Sequence, residues 1–282
     1  MVTSSQRIFA ALQCERAYKA AFAVSNPPYP NSMPDPPTIA VAALGVFLIA
    51  FLRGAFGGGF AIIGIPLLSL VLDPIAAGAV LAPLFIAMDV FALRYWRPST
   101  WSKPDALRLI PVFIVGIGVG FLLMRAIDTR VATIIIALIT LAFAGLWFLG
   151  GGVHEARPRS TPKALLLGLT GGVTTMVSHS GGPPLAMYLL PLGLPKAVYA
   201  GTTSLIFTVA NAVKAGPWLL LGQPTRGMWT LMALCLPAVP IGIYAGWRLH
   251  ERLSQERMYR ACYALLIVTG LKLLWDGVRG YL

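Results

Sequence analysis

Charge is scarce in this sequence. Asp, Glu, Lys and Arg make up 11% of its 282 residues, against about 25% in soluble domains. Acidic residues are the scarcest, at 10 in the whole chain. Too few charged groups are present to cover the surface of a water-soluble fold. Cysteine is also rare. Cys14, Cys235 and Cys262 have neither the spacing of a metal site nor that of a disulfide framework. Two of them lie in apolar stretches and read as small buried hydrophobes. No HExxH, no GxSxG and no paired acidic residues inside the apolar runs are found. His179 and Ser180 are adjacent in the chain, which does not by itself make a catalytic pair. The sequence therefore points away from an enzyme, and no cofactor or metal is expected. The net charge of +12 comes without a basic stripe interleaved with aromatics, so nucleic acid is not an expected partner.

Long apolar runs are what the sequence has instead. Hydrophobic residues form 57% of it, and stretches of about 20 recur along most of the length. They are continuous, unlike the short alternating segments of a membrane β-barrel. The expected fold is an all-α polytopic membrane protein with the bilayer as its partner. Arg and Lys fall in the short loops between runs, as the positive-inside bias requires.

Residues 1–37 differ from the rest. RIFAALQCERAYKAAFAV has amphipathic character but lacks a clean apolar core followed by a cleavage site. Asn26–Pro37 is a proline-rich linker. Met33 stands just before the first apolar run and reads as an alternative start. This leader is expected to be disordered or amphipathic. Residues 38–152 then form a first transmembrane unit, residues 153–163 (around HEARPRSTPK) a basic cytoplasmic loop, and residues 164–282 a second unit.

The two units match. Gly58-Gly59 and Gly181-Gly182 stand at the same offset as Ala77-Gly78 and Ala200-Gly201, and Pro111, Gly116 and Gly120 align with Pro237, Gly242 and Gly246 at nearly that offset. Matching order and spacing together argue for duplication. If the basic loops Arg94–Arg108, His154–Lys163 and Arg248–Arg260 share one side, Ala164–Leu192 must return to the side it left. That segment is long for one span and short for two. A hairpin broken at Ser178–Pro184 fits, and Thr38–Leu72, broken at Gly57-Gly58-Gly59, becomes its counterpart. Each half is then a Gly-broken hairpin plus three spans, and the halves are inverted repeats. Four long tilted spans per half would be the parallel alternative, which leaves Arg248–Arg260 on the wrong side.

The two breaks, LRGAFGGGFAIIGIPLL and MVSHSGGPPLAMYLL, are the expected site. In a bilayer, irregular backbone persists only where it lines a cavity or is packed in protein, and paired broken helices mark a transporter's binding centre. Free N–H groups at helix starts attract anions. Gly57, Gly58 and Gly59 let a ligand approach backbone donors. Ser178, His179 and Ser180 add side-chain donors ahead of Gly181 and Gly182. Arg53 lies inside the first run, where an arginine costs about 3 kcal/mol at mid-bilayer. Near a break it serves either to hold an anion or to snorkel outwards. Asn211, Lys214, Thr202 and Ser204 lie in the run after the second break and join the substrate list. Asp89 and His179 are the candidates for carrying a coupling proton.

These stretches, with AGTTSLIF, resemble the TauE/SafE family of sulfite exporters and related membrane permeases, over essentially Thr38–Trp275. The resemblance implies export or permeation of sulfite, sulfonates or related small organosulfur anions across a bacterial inner membrane. It carries over to the two glycine regions and the AGTTS step alone. The leader before Met33 departs from the family pattern. The leading expectation is thus a proton-coupled secondary transporter of small sulfur oxyanions, with export the direction that the resemblance implies. An anion channel, or a permease for another small anion, is the alternative. A homo-oligomer is compatible with this reading.

Overall fold

The computed structural model describes residues 33–60, 68, 70–72, 74–126, 130–150 and 156–279. Most of the leader and most of the segment restarting after the first break lie outside the described residues. Among the described residues the regular structure is helical: α1 (Pro36–Phe56), α2 (Pro74–Tyr95), a 3-10 turn (Pro98–Thr100), α3 (Lys103–Ala126), α4 (Arg130–Leu149), α5 (Thr161–Ser178), α6 (Gly182–Leu189), a 3-10 turn (Leu190–Leu192), α7 (Lys196–Gly222), α8 (Arg226–Cys235), α9 (Ala238–Arg252) and α10 (Gln255–Arg279). Among the described residues, six helices are long and apolar enough to cross a membrane, with α8 and α9 counting as one. The chain is a multi-pass membrane protein. Leu122, Leu138, Leu146, Leu166 and Leu271 face outward, as a bilayer-facing belt requires.

Local sequence sets the helix ends. Pro36 opens α1, where a missing N–H costs nothing. Gly57 closes it in the left-handed region at φ 79°, its N–H donating to the Arg53 carbonyl at 2.9 Å. Pro183 and Pro184 start α6 in the same way that Pro36 starts α1. Pro237 divides one long apolar stretch into α8 and α9, because proline cannot donate to the preceding turn.

The long helices pair across the chain's midpoint. α1 packs on α9, α3 on α5, α4 on α10, and α2 on α7 at the centre. Glycines permit the closest approaches. A Cβ on Gly246 would sit 1.9 Å from the Phe51 carbonyl oxygen, and one on Gly172 would sit 2.2 Å from that of Phe113. Small residues that let backbones touch are how helices associate where no hydrophobic effect drives them. Gly116 and Gly242, matched in the sequence, sit at these two corresponding interfaces against Leu169 and Phe47.

The basic loops gather at one end of the bundle. Arg159 Nε donates to both Asp105 oxygens at 3.1 Å. Lys196 Nζ donates to the His250 and Leu253 carbonyls at 2.8 and 2.7 Å, and Thr100 lies against Gly201. The Arg157 N–H donates to the Pro191 carbonyl at 2.8 Å. The chain entering α5 and the chain leaving α6 are therefore at the same end, so this segment is a hairpin that turns back inside the bundle.

Candidate functional site

The two breaks cross at the bundle centre. A Cβ added to Gly182 would lie 1.6 Å from the Gly59 carbonyl oxygen. The place where one on Gly57 would go is filled by the Ala200 carbonyl, at 1.8 Å. Gly58 instead faces Phe207 and the Arg53 guanidinium, with Nη1 3.4 Å from where its Cβ would be. The glycines thus serve chiefly to bring two backbones together. The donors next to them are side chains.

Arg53 is buried and ion-paired with buried Asp89 on α2. Asp89 is held from α7 as well. Asn211 Nδ2 donates to Oδ2 at 2.9 Å, and the Thr208 hydroxyl donates to Oδ1 at 3.2 Å. One turn further along α7, Lys214 Nζ donates to Thr175 Oγ1 at 3.1 Å and to His179 Nδ1 at 3.0 Å. It also stands over the Phe85 ring, 4.9 Å from the centroid. Two acceptors and an aromatic face make a cradle for an ammonium group. Arg53 and Lys214 are both buried.

His179 terminates α5 in the left-handed region at φ 53°. That conformation is uncommon outside glycine, and the His179 N–H closes the helix by donating to the Thr174 carbonyl. The imidazole lies between Trp218, with centroids 4.6 Å apart, and Phe85, at 5.4 Å. Accepting from Lys214 at Nδ1 assigns the ring proton to Nε2. His179 Nε2, Arg53 Nε, Ser204 Oγ and Trp218 Nε1 are buried and have no hydrogen-bond partner among the described residues. Buried polar atoms are nearly always paired, so these four atoms keep hydrogen-bonding capacity that the described residues do not use.

The structure brings Arg53, Gly58, Asp89, His179, Asn211 and Lys214 into one buried cluster. Apart from Ser204, the remaining expected residues have other work. Thr202 Oγ1 accepts from the Ser102 N–H at 2.8 Å, fixing the basic end. The Ser178 and Ser180 hydroxyls donate to the Thr174 and Ser178 carbonyls, closing the end of α5. Gly181 packs on the Gly171 carbonyl. Sequence reasoning missed Thr175, Thr208 and Trp218. Their signal was helical spacing: Ser204, Thr208, Asn211, Lys214 and Trp218 recur every third or fourth residue and form one stripe along α7.

The family model described as "Sulfite exporter TauE/SafE" matches residues 42–273, most of the chain. No curated protein and no solved structure gives a match. The chain belongs to the TauE/SafE sulfite exporter family, a family of transporters.

Proposed function

We propose that this family member is a secondary transporter that exports small sulfur oxyanions, such as sulfite or organosulfonates, across the bacterial inner membrane with proton coupling. The observation that carries the reading is a charge imbalance. Arg53 and Lys214 are both buried beside the breaks, and among the described residues Asp89 is the one carboxylate set against them. An unmatched buried charge is strongly unfavourable. A small oxyanion supplies the counter-charge, and its oxygens accept from His179 Nε2, Arg53 Nε, Ser204 and Trp218.

Proton coupling follows from competition for one guanidinium. Asp89 and a bound oxyanion both seek Arg53. A proton on Asp89 weakens that carboxylate's hold and frees Arg53 for the substrate, so protonation and anion loading favour each other. Thr208 and Asn211 then keep the neutral carboxyl in place. Opening alternates between the two ends of the bundle around the crossed breaks. The matched glycine interfaces of α1 with α9 and α3 with α5 support two inverted repeats moving against each other.

The test is uptake into proteoliposomes of labelled sulfite, sulfate, thiosulfate and a sulfonate, with and without a pH gradient. Saturable sulfite or sulfonate movement that responds to the gradient is expected. Currents indifferent to the gradient would establish a channel instead, and no movement of any of the four would overturn the reading.

A further inference from the structure

A second recess lies away from the crossed breaks, on the bilayer-facing side at the basic end. It has a volume of about 440 Å³ and runs between α4 and α5 with α6 as its floor. That size falls within the roughly 300–1,000 Å³ of small-molecule sites. Ile139, Leu166 and Met187 line it. The two threonines in its walls are already satisfied: Thr140 donates to the Ile136 carbonyl at 2.7 Å and Thr170 to the Leu166 carbonyl at 2.8 Å. The Tyr188 hydroxyl is given to Asp105 at 3.2 Å. Apart from Ser160, which lines the recess where α5 begins, the walls thus offer hydrocarbon, and a small polar solute gains little by entering.

The mouth is different. Arg157 and Lys163 line the recess at the basic end, and both are exposed. Arg159 beside them is committed to Asp105, whereas Arg157 and Lys163 have no ion-pair partner among the described residues. Two free cations above an apolar slot at the membrane surface complement one chemistry: a phosphate carrying a hydrocarbon chain. We propose that this recess binds an anionic phospholipid, its acyl chain between α4 and α5 and its phosphate on Arg157 and Lys163. Basic pockets between transmembrane helices on the positively flanked side recognise such headgroups. The floor of the recess is the hairpin that carries His179 and Gly182, so a bound chain braces the segment that shapes the transport site. This assignment is independent of what the transporter carries.

The experiment uses the full chain purified in neutral detergent and offered phosphatidylglycerol and phosphatidylcholine in equal amounts, with retained lipid counted by native mass spectrometry. At two contributing cations the expected preference for phosphatidylglycerol is roughly thirtyfold at low salt. Arg157→Ala with Lys163→Ala abolishes that preference, and Ile139→Trp, which fills the slot and leaves both charges, lowers retention of either lipid. Each variant is checked for an unchanged melting temperature in lipid-free detergent. Equal retention of both lipids, a preference that survives the double alanine variant, or retention indifferent to Ile139→Trp overturns the proposal. Displacement of phosphatidylglycerol by millimolar inorganic phosphate does so too, because the mouth would then be a plain anion site.

Discussion

Gly59 and Gly182 meet backbone to backbone, with the Gly59 carbonyl oxygen occupying the place where a Gly182 Cβ would be, 1.6 Å away. Each break is thus the other's wall, and neither position tolerates a side chain without moving the opposite hairpin. Overpacking of this kind costs about 1–3 kcal/mol. Gly182→Val is expected to insert normally, since its apolar spans are unchanged, and to lose sulfite transport. Membrane fractionation and proteoliposome uptake on the same preparation check this. Transport at the normal rate would mean that the crossing is incidental.

The Arg53–Asp89 pair separates structural from substrate roles. Removing one partner of a buried pair costs about 3–5 kcal/mol, while replacing both with apolar residues is often neutral. Arg53→Leu and Asp89→Leu should each lower the melting temperature, and the double variant should recover most of the loss. Transport should be absent from Arg53→Leu and stay absent in the double variant. Recovery of both properties together would make the pair purely structural.

Asp89 should set the pH response. Anion binding is expected to strengthen as pH falls, because the proton removes the carboxylate that competes for Arg53. A sulfonate is the right probe, since its own charge does not change over the range. Asp89→Asn should bind it at nearly constant affinity at every pH. A pH dependence unchanged by this substitution would move the proton elsewhere in the cluster, with His179→Gln the next variant to measure.

Lys214→Met removes the excess positive charge. It should raise the KM for sulfite at least about tenfold, the effect of losing roughly 1.4 kcal/mol of binding, with a smaller change in maximal rate. Lys214→Arg keeps the charge and should restore part of the affinity. Equal KM values in all three proteins would exclude Lys214 from the substrate's contacts.

At the basic end, Asp105 ties together elements from both sides of the chain's midpoint. It is fully buried and accepts from Ser102, Tyr188 and Arg159. Asp105→Ala leaves the buried Tyr188 hydroxyl without this acceptor, at an expected cost of about 1–3 kcal/mol. Thermal unfolding in detergent measures it. A melting temperature unchanged from the parent would show that α6 is held by its apolar contacts alone.

Much of this architecture was legible in the residues. Apolar runs gave the spans, because a bilayer allows so few alternatives to a helix. Basic loops gave their common end, and Gly57–Gly59 and Ser178–Pro184 gave the breaks. Arg53, Asp89, Asn211 and Lys214 stood out because a polar group in an apolar run needs a reason. Less legible was how backbone and hydroxyl groups are used. The Ser178 and Ser180 hydroxyls close the end of their own helix, a habit of serine that competes with any ligand. Thr202 caps a loop that is close only in three dimensions. The glycines read as open approaches to a ligand, yet Gly57 and Gly182 are filled by Ala200 and Gly59, because a close approach of protein backbone leaves the same mark in a sequence as a close approach of solute. Trp218 was hidden by its ordinary place at the end of a span.

The exchange of partners among α1, α3, α5 and α9 has a bearing on biogenesis. While the ribosome has released only the stretch up to Leu149, α1 has its glycine face turned towards a helix that does not yet exist, and α3 waits for α5. Pairing therefore proceeds in steps: α3 finds α5 once Ser178 is made, α2 finds α7 by Gly222, and α1 finds α9 later still. A chain truncated before α9 would leave the α1 surface orphaned for quality-control proteases to find.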